Sequence, residues 1–240
     1  MKYNIFYLFV MLLYIKIYTR HHSSFVEGNH IYILMEHVDG ESLLEQLEAC
    51  ADKGERVPES MIWDVFIQLT LGLTYLHTQK RVVHRDLTPA NVMVDNKGVV
   101  KITDFGLARQ KNPFNSFMKT SVGTISYSCP EIVKNEAYTD KADIWSLGCI
   151  LYHMAALKTP FQGSNALVVA QGIVEGTFEP LPKGYSPLLE GVITKLLSKQ
   201  AQQRPNIIKV GRLIAPVLLA HMQKQVDSLK QNPLLFFHLL

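Results

Sequence analysis

The sequence predicts an α+β fold: a largely helical body around one small hairpin, preceded by a short piece of β-sheet. Three patterns predict it. Apolar residues recur at helical spacing across residues 59–78, at Ile62, Val65, Phe66, Leu69, Leu73 and Leu76, the mark of an amphipathic helix. Residues 30–36 alternate in polarity and are rich in β formers, so they read as a strand. Val92-Met93-Val94 and residues 99–103 flank Asp95-Asn96-Lys97-Gly98, a strand, a turn and a strand.

The elements follow in order. The 240 residues suffice for one or two domains with a sizeable core. Residues 1–17 stand apart: Met1-Lys2 opens the chain, and residues 5–15 are an unbroken run of 11 apolar residues. That is a signal-like pattern without a small-residue cleavage site, and it is short for a span of about 20 apolar residues. Residues 18–26 form the antiparallel neighbour of the 30–36 strand, turned at Glu27-Gly28-Asn29. Pro58 marks the start of the 59–78 helix. Asp140 is placed to cap a helix running to about residue 157, with Asp143 in its first turn, where a negative charge suits the helix dipole. Residues 184–199 and 206–224 read as two further helices, and the apolar end 233–240 has no reading. The domain plan is thus 1–17, 18–38, 39–216 and a tail 217–240.

The chemistry lies between residues 84 and 106. His84-Arg85-Asp86-Leu87-Thr88-Pro89-Ala90-Asn91 is followed by Asp104-Phe105-Gly106, with 18 residues from Asp86 to Asp104. Either motif alone arises by chance; both in this register do not. The pattern resembles the catalytic and metal-binding loops of the eukaryotic protein kinase family. Phosphoryl transfer asks a protein mainly for positioning and charge neutralisation. The resemblance makes Asp86 the base beside the attacking hydroxyl. It makes Asn91 and Asp104 the ligands of Mg²⁺, an ion that prefers hard oxygen donors, and ATP the phosphate source.

Downstream landmarks agree. Gly123-Thr124-Ile125-Ser126-Tyr127-Ser128-Cys129-Pro130-Glu131 resembles the segment that closes a kinase activation loop, with Cys129 in place of Ala. Asp143-Ile144-Trp145-Ser146-Leu147-Gly148-Cys149 resembles the start of the central helix. Gln203-Arg204-Pro205 resembles the late Arg that pairs with Glu131. Thr88, where most Ser/Thr kinases carry Lys, is similar to one branch of the NIMA-related kinases. The resemblance implies a protein-kinase-like fold, with a mostly helical C-lobe and a truncated remnant of the N-lobe sheet.

Further roles follow from it. Met35 is the gatekeeper, the backbone of Glu36 and Val38 meets the adenine edge, and Met93 is its apolar floor. His84 packs under Phe105, and Gly106 completes the metal loop. Asp143 either caps its helix or holds the His84-Arg85 turn. Arg85 gives a reason to depend on phosphorylation, since a phosphate adds about −1.5 to −2 charge and pairs with such an Arg. Thr120, Ser121 and Thr124 are the loop candidates, with Thr120 first and Thr124 expected beside Asp86. Thr88 offers a hydroxyl and no charge, and charge-assisted bonds are roughly twice as strong as neutral ones. Slower transfer is one consequence, and Ser/Thr versus Tyr as acceptor is left open.

The front of the chain departs from the family. The first glycine is Gly28, the first acidic residue is Glu27, and only Lys2 and Lys16 precede residue 30. No glycine-rich phosphate loop and no Lys–Glu pair for the α- and β-phosphates is encoded there. Three readings of 1–17 stand: a wrong first exon, an element replacing part of the N-lobe, or an anchor. The expectation is a Ser/Thr-type kinase that is weak or inactive as written. The alternatives are a pseudokinase or docking module on the same lobe, or the product of a mis-predicted gene.

Net charge is +3 with mixed signs, so nucleic acid is not implied. Three widely spaced cysteines suit a reducing compartment and no metal site. Protein substrates, regulatory protein partners, no membrane and a cytoplasmic or nuclear location are the corresponding expectations. His21, His22 and His77 read as residues without chemistry.

Overall fold

The structure, a computed structural model, describes residues 17–105, 108–110 and 125–231, without the side chains of 109–110 and 224–231. Gly106, Thr120, Ser121 and Thr124 lie outside the described residues.

Ile17 is already core, 1% exposed. It fits because Gly72 has no side chain: a Cβ there would fall 2.6 Å from Ile17 Cγ2. Ile17 also accepts the Ile102 N–H at 2.6 Å, and Tyr18 bridges Ile102 in parallel. β1 (His21–Glu27) and β2 (His30–Met35) then form an antiparallel pair, turned at Gly28 with φ +59°. Every residue of both strands is exposed.

β3 (Gly40–Ser42) returns to the body and pairs with β5 (Val92–Asp95), which pairs with β6 (Val100–Ile102). Gly40 is required, because a Cβ would sit 2.2 Å from the Val94 carbonyl oxygen. Ser42 ends β3 and caps α1 (Leu43–Asp52) in a reciprocal box with Glu45. α2 (Glu59–Thr74) buries Ile62, Phe66, Leu69 and Leu73 as the periodicity predicts. Its end does not continue as α-helix. Residues Tyr75–Lys80 widen into a π-helical turn, closed by Arg81 in the left-handed region, before β4 (Val82–Val83). β4 pairs with β7 (Arg109–Gln110).

After the short α3 (Pro130–Val133) comes α4 (Lys141–Ala156), with 14 of its 16 residues buried. A helix apolar on all sides belongs inside a core. Gly148 lets α6 (Pro187–Leu196) pack closely, since a Cβ would meet Leu196 at 2.8 Å. Asp140 does not cap α4 with its side chain; the Thr139 hydroxyl accepts the Lys141 N–H at 3.3 Å instead. α5 (Ala166–Glu175) lies between α4 and α6 in sequence and is capped by Asn165. The expected 206–224 helix is two helices, α7 (Ile207–Leu213) and α8 (Ala215–Gln231). Pro216 explains the break: it has no N–H to give the preceding turn. Among the described residues no helix is long and apolar enough to cross a membrane.

Candidate active site

The site is built on Asp143, a carboxylate 1% exposed at the start of α4. Its Oδ2 accepts the His84 N–H at 2.9 Å and contacts His77 Nε2 at 2.7 Å; its Oδ1 accepts the Arg85 N–H at 2.8 Å. Burial alone would raise its pKa, but the bond and charge of His77 and the backbone donors outweigh it and hold the carboxyl below its ordinary value. Of its two sequence readings, Asp143 takes the second: it holds the turn. Arg85 has φ +77°, an uncommon conformation for a side-chain-bearing residue, fixed here by that carboxylate.

The held turn aims the chemistry. Asn91 Nδ2 donates to the Asp86 carbonyl at 2.8 Å and to Asp86 Oδ2 at 3.2 Å. His84 Nε2 meets the Thr103 carbonyl at 3.1 Å, and the Thr103 N–H donates to the Asn91 carbonyl at 2.9 Å. Thr103 is thus clamped from both sides, and the next residue, Asp104, emerges exposed at φ +56° beside Asn91. The His84 ring packs edge-on against Phe105, centroids 4.9 Å apart. Thr88 is buried at 8% exposure, just before the 3₁₀ turn Pro89–Asn91. Asp86, Asn91, Thr88 and Asp104 therefore share one rim.

The second half of the site is the stretch after β2. Glu36 is held by its side chain: Oε1 accepts from Lys101 Nζ at 2.7 Å and Oε2 from the Arg20 N–H at 3.0 Å. Burial opposes ionisation, and these bonds overcome it, so its pKa is lowered. The Glu36 N–H donates to the Arg20 carbonyl at 2.7 Å, and the Val38 carbonyl accepts from Gly40 at 3.0 Å. Met93 is half-buried and pairs with Ser42 and Lys101 across the sheet. Met35 ends the exposed strand β2 and is 42% exposed.

Behind the rim, Arg204 donates to Glu131 twice, Nη1 to Oε1 at 2.7 Å and Nη2 to Oε2 at 2.5 Å. Its remaining donors reach the carbonyls of Ser198, Lys141 and Lys199, and its guanidinium lies 5.1 Å over the Trp145 ring. Desolvation would raise the Glu131 pKa; Arg204 reverses this and lowers it. Cys129 is buried, and burial pushes its thiol up.

The protein kinase domain family matches residues 15–213. The chain belongs to that family. It is 45% identical over 217 residues to the human serine/threonine-protein kinase Nek10, covering 90% of this chain and 18% of that protein. It is 42% identical over 204 residues to the serine/threonine-protein kinase D1044.8 of Caenorhabditis elegans, 85% of this chain and 21% of the other. The mouse serine/threonine-protein kinase Nek3 is 41% identical over 184 residues, 77% of this chain and 35% of the other. The similarity thus runs to NIMA-related kinases, the group to which Thr88 pointed. The chain spans about a fifth of the length of the first two relatives.

Within this kinase fold, sequence reasoning missed two residues. His77, set aside as without chemistry, is 4% exposed and bonded to Asp143. The sequence points to the backbone of Glu36 alone, yet its side chain ties that stretch to β6. Neither carries a local signal: a single His at a helix end and a Glu after a strand look the same wherever their partners are.

Proposed function

We propose that this chain is the catalytic lobe of a serine/threonine protein kinase, which moves the ATP γ-phosphate to a hydroxyl of a protein substrate. The observation that carries the reading is the single rim on which Asp143, His84 and Thr103 gather Asp86, Asn91 and Asp104. Asp86 takes the proton of the attacking hydroxyl. Asn91 orients it by donating from its amide nitrogen to both its carbonyl and its carboxylate, which turns the Asn91 amide oxygen away from Asp86.

The donor set fits Mg²⁺, which binds one or two carboxylates plus substrate phosphates rather than an all-protein cage. Asp104 supplies an exposed carboxylate and Asn91 an amide oxygen, and among the described residues no cluster of three or more His, Cys, Asp or Glu offers a rival metal site. Bound there, Mg²⁺ neutralises phosphate charge. The adenine edge meets the backbone of Glu36 and Val38, with Met93 beneath it and Met35 at the back. Thr88 contributes a hydroxyl where a cation is usual, so the transferring group receives less charge from the protein.

A docking or regulatory module on the same lobe is the second reading. It is favoured by Thr88, which offers the transferring group a hydroxyl and no charge. One assay separates the two readings: Mg-ATP turnover by this chain, and by the chain joined to a complete N-lobe. The kinase reading expects little turnover from the first and clear turnover from the second. In the joined protein, Asp86→Asn should lower kcat about 100-fold or more, the scale of a lost general base. An unchanged rate would remove Asp86 from the chemistry, and an inactive joined protein would favour the docking module.

A further inference from the structure

β1 and β2 bury none of their residues, so apolar packing does not set the angle at which this hairpin stands on the body. The stretch 36–38 leaves β2 directly, and its place relative to Met93 depends on that angle.

Lys101 is in position to set it. Val100 and Ile102 of β6 are 0% exposed in the core, and side chains alternate along a strand, so Lys101 stands on the other face. There it is the cross-strand partner of Met93, which pairs in turn with Ser42 of β3. Directly opposed side chains start about 5 Å apart, so the lysine stem runs beside the apolar floor assigned to adenine. Its side chain is only 11% exposed, and lysines are rarely that buried without a partner. The partner is Glu36, at 2.7 Å. Among the described residues this is the one side-chain bond between the stretch 20–38 and the body.

Glu36 is gripped at three atoms. Lys101 takes Oε1, the Arg20 N–H donates to Oε2 at 3.0 Å, and the Glu36 N–H donates to the Arg20 carbonyl at 2.7 Å. The Val38 carbonyl is engaged as well, by the Gly40 N–H at 3.0 Å. The stretch is left with one acceptor and one donor for a ring edge, the Glu36 carbonyl and the Val38 N–H. Two such groups serve a ligand only if the backbone between them keeps one orientation. The strand that supplies Lys101 also delivers Asp104 three residues later, so one element ties the two halves of the site together.

We propose that Lys101 is a positioning residue for the nucleotide: by holding the Glu36 carboxylate it latches the hairpin to β6 and fixes the Glu36 carbonyl and Val38 N–H against an adenine edge. Lys101 acts through Glu36 and not on the phosphates. The proposal rests on the adenine reading of 36–38 given above.

The test is NMR titration of the full chain with adenosine and, separately, with Mg-ADP, followed at the Val38 and Gly40 amides below the onset of unfolding. The natural chain should show saturable shifts with both. Lys101→Met should weaken both ligands by the same factor, about tenfold, the worth of one charge-assisted hydrogen bond. Lys101→Arg, which keeps the cation, should recover most of that loss. Glu36→Met should reproduce it, and carries the same prediction if Lys101→Met does not fold. The double variant should bind no worse than either single one. Unchanged adenosine affinity in Lys101→Met or Glu36→Met, no recovery in Lys101→Arg, or additive losses in the double variant would overturn the proposal. A loss confined to Mg-ADP would assign Lys101 to the phosphates and overturn it too. No saturable shift with either ligand in the natural chain would overturn the adenine reading itself, and the latch with it.

Discussion

β6 and β2 are two strands rich in β formers with opposite fates. In β6, Val100 and Ile102 are fully buried between the sheet, Ile17 and α2. In β2, Ile31, Ile33 and Leu34 are 72%, 61% and 58% exposed. Both carry strand propensity, and β2 is the more apolar of the two, so neither propensity nor hydrophobicity makes the difference. β6 has partners on both sides of its backbone and a helix beneath it; among the described residues β2 has one partner strand, and a two-stranded hairpin is marginal by itself in water. The lesson is that the strand signal reports local conformation, while burial is decided by what the rest of the chain brings to that surface.

The comparison can be pushed from the strongest part of the body to the weakest. Arg204→Met leaves Glu131 buried without its cation and should cost about 3–5 kcal/mol in chemical denaturation. Adding Glu131→Leu should recover most of that loss. If the single change is mild, the body is not held by this pair. A smaller effect comes from His153, whose Nδ1 shares a hydrogen bond with the Tyr127 hydroxyl at 2.8 Å and whose pKa is pushed by burial down to about 4. Its unfolded form protonates near 6.5 and its folded form does not. Stability should therefore be complete above pH 6.5 and fall by about 2–3 kcal/mol toward pH 4. The depressed carboxyls of Asp143 and Glu131 act in a lower window, their contribution disappearing only as pH falls below about 4. Denaturant midpoints at pH 7 and 4.5 should differ in the natural protein and nearly coincide in His153→Gln.

The smallest effect should be in the hairpin. Ile33→Ala should change stability by less than about 0.5 kcal/mol, where the same truncation at Ile102 costs about 2–5 kcal/mol. Equal costs, read from urea unfolding, would mean that the hairpin is covered and the contrast is wrong.

What the sequence made legible divides along the same physical line. The β1–β2 and β5–β6 hairpins were readable because turn residues and alternation act within ten residues. The rim was readable because Asp86, Asn91 and Asp104 keep fixed spacing on adjoining loops. Partners brought together over long distances were readable only through family likeness, as with Glu131 and Arg204, or not at all, as with His77 and Asp143. Two local features were misjudged. Thr139 rather than Asp140 caps α4, a choice made by backbone angles. The break at Ile214 is signalled by Pro216, which apolar periodicity over 206–224 conceals.

α4 places several devices on one rod. Asp143 holds the catalytic turn, Trp145 backs Arg204, Ser146 donates to the Tyr127 carbonyl at 2.9 Å, and Tyr152 lines a cavity at the far end. Each depends on its angular phase around the helix axis. One residue inserted after Asp143 would rotate everything beyond it by about 100°. The catalytic turn would keep its carboxylate while the guanidinium support, the Tyr127 contact and the cavity wall swung away together. Length in this helix is therefore constrained more tightly than composition: a side chain can be exchanged one at a time, but the phase changes for all of them at once.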